Sequence, residues 1–368
     1  MPTYVHQRKQ WPAFEWNAEK LSILLAEVRH RQGRLLGKME GLGFGLQLEA
    51  NLSTLTVDVL KSSEIEGELL DAGQVRSSIA RRLGMDIAGL IPADRHVDGV
   101  VEMMLDATQH FNKPLSDERL FGWHNALFPT GLSGMHKIET GGWRTNSKDD
   151  PMQVVSGPMG KETVHFEAPG SDRLQHEMDG LFQWMNDAGN TDPVIKAAIA
   201  HLWFVTIHPF DDGNGRIARA ITDMQLSRAD GTTQRFYSMS GQIRKERNKY
   251  YDILEQTQKG DLDITDWLEW FLNCLNRSIA ASDELLAEVL KKAKFWEVNA
   301  TTILNERQKL LLNKLLDGFD GKLTSSKWAK IGKCSQDTAL RDIQDLISKN
   351  ILAKEAGGGR STGYVVVY

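Results

Sequence analysis

Apolar residues in AEKLSILLAEVRHRQGRLLGKMEGL (18–42) recur at steps of three and four, the spacing of one helical face. NLSTLTVDVLKSSEIEGELL (51–70) repeats that pattern and predicts a second helix. DAGQVRSSIARRLG follows as a third helical segment, with a Gly near its end as a stop signal. DGVVEMMLDATQHF and SDERLFGWHNALF continue the series, and Ser116 is placed to open the latter as an N-cap. Between 133 and 170 the rhythm breaks. Gly141, Gly142, Gly157, Gly160 and Gly170 punctuate two short β-prone runs, MQVVSG and ETVHFEAP, joined by a Gly-Pro-Met-Gly turn, so a hairpin is expected over about 152–168. Helix resumes with SDRLQHEMDGLFQWMN. PVIKAAIAHLWFVTIHPF is apolar almost all round, the signature of a buried central helix. ARAITDMQLSRADG and stretches at 240–259 and 263–296 complete a bundle. From about 303, three short helical patterns precede strand, Gly-rich turn and strand, the order of a winged helix-turn-helix.

The reading is therefore mainly α, a helical bundle with a small hairpin and a C-terminal winged helix. It divides into an N-terminal helical region (1–100), a central domain (101–300) and a winged-helix domain (303–368). The 368 residues carry 44 Lys and Arg against 49 Asp and Glu, a balance that gives no global pull toward nucleic acid or anionic membrane. Locally, 306–368 holds eleven Lys/Arg against seven Asp/Glu, which keeps DNA or protein docking through the winged helix open. Arg360, in the GGGRST tip, is placed to reach a phosphate or the minor groove. Asp337, Asp342 and Asp345 on the expected recognition helix argue the other way. Cys274 and Cys334 are far apart and fit neither a zinc site nor a disulfide framework. No long apolar run predicts a membrane span, and the start MPTYVHQRKQWPAFEW has no leader-like stretch, so a cytoplasmic location is expected.

One stretch is poor core material: HPFDDGNGRIAR, His208 to Arg219, set between two helical patterns. Gly213, Asn214 and Gly215 can expose consecutive backbone N–H groups at a helix N-terminus, a ready phosphate cradle. Arg216 and Arg219, three apart, share a helix face and suit a polyphosphate. Asp212 offers a hard oxygen to Mg²⁺. His208 titrates near neutrality and can take a proton from a hydroxyl. Phe210 reads as the anchor that pins the loop to the core.

This stretch resembles the signature of the Fic family, His-Pro-Phe-x-Asp/Glu-Gly-Asn-Gly/Lys-Arg-x-x-Arg, at every specified position. The resemblance implies a protein adenylyltransferase that moves AMP from ATP to a Ser, Thr or Tyr hydroxyl of a protein. It implies His208 as general base and Asp212 as the Mg²⁺ ligand. Gly213, Asn214 and Gly215 would then cradle the phosphates, and Arg216 and Arg219 would contact the β- and γ-phosphates. Gly215 stands where phosphorylating relatives carry Lys, which favours AMP transfer. The candidate nucleotide-binding set comprises Phe210, Asp211, Gly213, Asn214, Gly215, Arg216, Arg219, Tyr250 and Tyr251. The two tyrosines enter because an aromatic of that region lines the adenine pocket in relatives; core packing is the competing role. The hairpin at 152–168 resembles the family's flap, which holds the target segment by strand addition.

SSEIEG, Ser62 to Gly67, fits the family's inhibitory pattern Ser/Thr-x-x-x-Glu-Gly/Asn. The resemblance implies that Glu66 pairs with Arg219 and forces ATP into an unproductive pose, with Ser62 and Gly67 as the other fixed positions. WPAFEW resembles the opening of a Fic subgroup with an extra helical segment, and its aromatics read as packing residues. The implied partners are ATP, a protein substrate at the flap, DNA or protein at the winged helix, and a second copy in a homodimer. AMP removal as the dominant activity and a nucleotide-sensing transcription regulator stand as the alternatives.

Overall fold

The computed structural model describes residues 3–367 apart from 86–88, 148, 159, 188, 320 and 356–361. Its helices are α1 (Ala18–Glu40), α2 (Phe44–Ile65), α3 (Ala72–Arg82), α4 (Arg95–Gln109) and α5 (Asp117–Leu127). Two hairpins follow, β1 (Leu132–Ser133) with β2 (His136–Lys137), and β3 (Gln153–Ser156) with β4 (Thr163–Glu167). Then come α6 (Leu174–Asn186), α7 (Pro193–Ile207), α8 (Asn214–Asp230), α9 (Met239–Lys245), α10 (Arg247–Gln258) and α11 (Thr265–Val298). The chain closes with α12 (Glu306–Leu316), α13 (Ser325–Ile331), α14 (Gln336–Ser348) and an antiparallel pair, β5 (Leu352–Lys354) and β6 (Tyr364–Val366). The fold is mainly α.

Local chemistry sets the helix starts. Asn17, Asp71, Asp94, Ser116 and Asp192 each accept a backbone N–H with the side chain at the helix entry. The Ser116 cap is the one read from the sequence. In α7 every residue from Val194 to Ile207 except Lys196 is buried, as its all-round apolar pattern requires. It packs beside α8, and this pair forms the centre of the bundle.

Two sequence boundaries need correction. The second helix, read as 51–70, runs from Phe44 to Ile65. Its late end fails because Gly67 sits at φ 86°, a left-handed conformation that terminates a helix. Its early start was masked by the glycines of GLGFG, where Gly43 turns the chain in. The stretch read as 240–259 breaks at Glu246 into α9 and α10.

The described residues group into two compact units, Met1–Leu83 with Pro92–Leu286, and Gly84–Ile91 with Ala287–Tyr368. In the second, Leu311, Leu312, Trp328, Ile343, Leu346 and Leu352 form a core shared by three helices and the strand pair. Asp342 is turned inward, accepting from Arg307 Nε at 2.9 Å and Asn305 Nδ2 at 3.0 Å, and Asp345 accepts from Gln308 Nε2 at 2.8 Å. Two of the three acids that weighed against DNA are thus engaged with α12 and its cap. Arg360 lies outside the described residues.

Candidate functional site

The signature loop sits between the two central helices. His208 caps α7 at φ 51°, ψ 58°, and Gly213 opens α8 at φ 82°. A Cβ at Gly213 would lie 2.9 Å from the Phe128 ring, so close packing and backbone angle both require glycine there. Phe210 is fully buried and stacks on His124 at 4.2 Å between centroids, which is the anchoring expected of it. Asn214 bonds across the loop to Phe210, accepting its N–H at 3.0 Å and donating to its carbonyl at 2.7 Å. The Asn214 side chain therefore shapes the cradle, and only its backbone remains for a ligand. Asp211 accepts from the Glu139 N–H at 2.9 Å, tying the loop to the segment after β2.

His208 is partly exposed and lies 3.3 Å through Nδ1 from the Val205 carbonyl. With the proton on Nδ1, Nε2 is left as an acceptor. Burial, aided by the Arg144 charge, lowers its pKa to about 4, so the ring is neutral at pH 7. Asp212 takes a bond from the Ser133 hydroxyl, and its own carbonyl accepts from His124 Nε2 at 3.1 Å. Its carboxylate is the only acid of the loop turned toward Arg216, at 4.0 Å. Among the described residues no cluster of three or more metal-ligating side chains forms. A lone carboxylate suits Mg²⁺ carried in on phosphate oxygens, since that ion keeps most of its shell from water and substrate.

The inhibitory pattern turns out to be a helix ending. Gly67 N–H donates to Glu64 O at 3.1 Å and Glu68 N–H to Ser63 O at 3.0 Å, the paired bonds of a Schellman cap. Ser62 and Glu66, four apart, project from the same side of the last turn. Arg219 is 1% exposed and donates Nε to the Ser62 hydroxyl at 2.9 Å. Its Nη2 reaches both the Ser62 carbonyl and the Glu66 carboxylate at 2.8 Å. Burial, the largest influence, opposes the charge, but the Glu66 carboxylate together with Tyr250 and Tyr251 outweighs it and holds the Arg219 pKa above its ordinary value. Glu66 Oε1 also stands 2.1 Å from where a Gly215 Cβ would be, against the first turn of α8. A carboxylate thus occupies a helix N-terminus and a guanidinium, the two features that suit a phosphate. Arg219 Nη1 and Arg216 Nε are buried donors without a partner among the described residues, which fits an anion yet to arrive.

Several members were not read from the sequence. Glu68, just past the cap, accepts from Arg216 Nη1 at 2.9 Å and is paired with His96. Arg216 also lies 5.0 Å over the Phe128 ring. Buried Arg144 donates Nε to the His208 carbonyl at 2.7 Å and its guanidinium also reaches the Pro169 carbonyl, so it braces the left-handed turn at His208. Of the tyrosines, Tyr250 is in the core with its hydroxyl 2.8 Å from His201 Nε2. Tyr251 keeps an exposed face, and burial followed by the Glu66 carboxylate raises its pKa. The flap strands pair as expected and leave Val155 and Val164 exposed.

Residues 114–226 match the family model described as Fic/DOC family, and residues 4–85 match one described as Domain of unknown function (DUF4172). The curated relatives named Protein adenylyltransferase Fic from Drosophila yakuba and Aedes aegypti are each 27% identical, over 232 and 228 residues. Each match covers 60% of this chain and 40% of the relative, so the chain accounts for about two fifths of those proteins' length. Among solved structures, a Fic family protein from Desulfovibrio desulfuricans G20 aligns with TM-score 0.50 at 20% identity, over 94% of this chain and 95% of that one. A Fic domain containing signaling protein from Bacteroides thetaiotaomicron VPI-5482 aligns with TM-score 0.52 at 20% identity, over 71% and 97%. These two likenesses concern the fold.

Proposed function

The chain belongs to the Fic family through its residues 114–226, and on that footing we propose that it is a protein adenylyltransferase, moving AMP from ATP to a hydroxyl of a target protein and held off by its own Glu66. The observation that carries this reading is the Arg219 clamp: a guanidinium beside a phosphate-ready helix end, closed by a carboxylate from α2.

In the active form, the N–H groups at Gly213–Gly215 and the guanidiniums of Arg216 and Arg219 hold the phosphate tail. Asp212 would hold Mg²⁺, which would supply neutralisation of phosphate charge when bound. Neutral His208 receives the proton of the target Ser, Thr or Tyr at Nε2, while Arg144 keeps its backbone turn in place. The exposed flap lays the target alongside as an added strand, and the open face of Tyr251 is the tyrosine suited to the adenine. Glu66 in place denies Arg219 to the γ-phosphate.

Incubation of the Glu66→Gly chain with α-labelled ATP, Mg²⁺ and a cell extract is expected to label extract proteins, and His208→Ala in the same background to lose that label. Equal labelling with and without His208 would remove the basis for the mechanism.

A further inference from the structure

The flap is a two-stranded sheet, and a lone strand pair is marginal in water without something packed against it. Its base is covered by the first residues of the chain, a segment that neither the signature loop nor the Glu66 clamp uses. Buried His6, on the short 3₁₀ turn Val5–Gln7, donates Nε2 to the Glu167 carbonyl at 2.8 Å, at the end of β4. Burial lowers the His6 pKa, so the ring is neutral and its proton sits on the nitrogen that faces the carbonyl. Tyr4 and His6 both stand edge-on to the buried Phe166 ring of β4, at 5.1 and 5.7 Å between centroids. The same segment then runs onto the bundle. Arg8 Nη2 donates to the Gly260 carbonyl at 2.8 Å. The Glu15 N–H donates to the Leu262 carbonyl at 2.8 Å, and the Glu15 carbonyl accepts from Ile264 at 2.9 Å. Trp11 donates Nε1 to Glu177 of α6 at 2.7 Å, and Trp11 and Phe14 meet Trp203 edge-on at 6.2 and 5.9 Å. Trp203 belongs to α7, the helix that ends at His208. One short segment therefore joins the base of the flap to the helix that carries the proposed base.

Resting on the AMP-transfer reading above, we propose that residues 4–15 are the positioning element of the target site, with His6 as the positioning residue that fixes the base of the flap. These residues open the stretch, 4–85, that matches the domain of unknown function. Strand addition places a target hydroxyl only as well as the receiving edge is itself placed, and a misplacement of about 1 Å slows transfer. The outer flap, where Val155 and Val164 are exposed, takes its position from the anchored Phe166 and Glu167 end. His6 packs on that end and not on the signature loop, so its loss loosens the flap and leaves the phosphate cradle as it is.

The test uses the full chain carrying Glu66→Gly, with His6→Ala or His6→Gln added; Gln keeps an N–H donor where the ring has Nε2. Amide hydrogen exchange is read by mass spectrometry on peptides covering 152–168 and 193–230. His6→Ala is expected to speed exchange over 152–168 on the order of fivefold and to leave 193–230 unchanged, with His6→Gln close to the parent. AMP transfer from α-labelled ATP to cell-extract proteins is then followed against extract and against ATP concentration. His6→Ala is expected to raise the extract concentration for half-maximal rate by about the same factor at an unchanged ATP requirement, and His6→Gln to restore it. Unchanged exchange over 152–168 in His6→Ala overturns the inference. So does faster exchange over 193–230 as well, which marks a general loss of structure. A loosened flap with the parent's extract dependence, or an equal rise in the ATP requirement, also overturns it and leaves AMP transfer standing. No AMP on extract proteins from the parent chain overturns the transfer reading, and the target-placing role with it.

Discussion

Arg219 and Glu66 meet at 2.8 Å between Nη2 and Oε1, with the same guanidinium bound at 2.8 Å to the carbonyl of Ser62. In the proposed mechanism, regulation and chemistry share this one side chain. There, the helix ending that delivers Glu66 is as much a part of the proposed switch as the carboxylate.

Gly67→Ala tests the ending. A side chain at φ 86° costs about 1 kcal/mol in the left-handed region. The variant is expected to lose that much in a denaturant titration and to leak AMP transfer, since the Schellman bonds also position Glu66. Wild-type stability combined with wild-type silence would show that the cap has no part in the switch.

Glu68→Gln tests the second guanidinium. Arg216 is paired with Glu68, and the neutral amide competes less well with a phosphate. Calorimetry is expected to show ATP binding several-fold tighter in this variant, on the order of fivefold. Weaker binding would mean that Glu68 helps to hold the nucleotide.

Asn214→Ala tests the cradle. It leaves the N–H and carbonyl of Phe210 buried without their partner, at a cost of about 1–3 kcal/mol. Thermal unfolding and ATP affinity should fall together. A loss of affinity at unchanged stability would assign Asn214 to the ligand itself.

Two histidines give opposite pH signatures. His208 has its pKa lowered to about 4 by burial, so its contribution to stability is whole above the ordinary histidine value and is lost as pH falls toward 4. Its readiness as a base should be flat from pH 6 to 8. His96 has its pKa raised, first by its bond to Glu68, so its contribution is whole below the ordinary value and fades as pH climbs through the raised one. His96→Gln is therefore expected to narrow the stability gap to wild type on going from pH 6 to pH 8 in thermal melts. A gap that widens with pH would reverse the assignment.

The site was legible where its residues are contiguous. HPFDDGNGRIAR holds the proposed base, the proposed cradle and both guanidiniums in twelve positions, and SSEIEG encodes a cap with an acid just before its final glycine. Helical periodicity marked most of the helices, and two β-prone runs around a Gly-Pro-Met-Gly turn marked the β3–β4 hairpin. What escaped was brought in by tertiary placement. Arg144 comes from a glycine-rich loop and Ser133 from a two-residue strand too short to have a period. Glu68 lies just outside the fixed positions of its pattern. Tyr250 and Tyr251 are about 100° apart around one helix, so one faces the core and the other does not. Adjacent letters carry no sign of which is which.

The most direct test of the account is the AMP carried by cell-extract proteins after incubation with α-labelled ATP, Mg²⁺ and one of three chains: wild type, Glu66→Gly, and Glu66→Gly with Arg219→Ala. AMP should accumulate on extract proteins about a hundredfold faster with the single variant than with the other two, because only there is the guanidinium both present and free. Equal accumulation in all three, or the same rate with and without Arg219, would contradict the account.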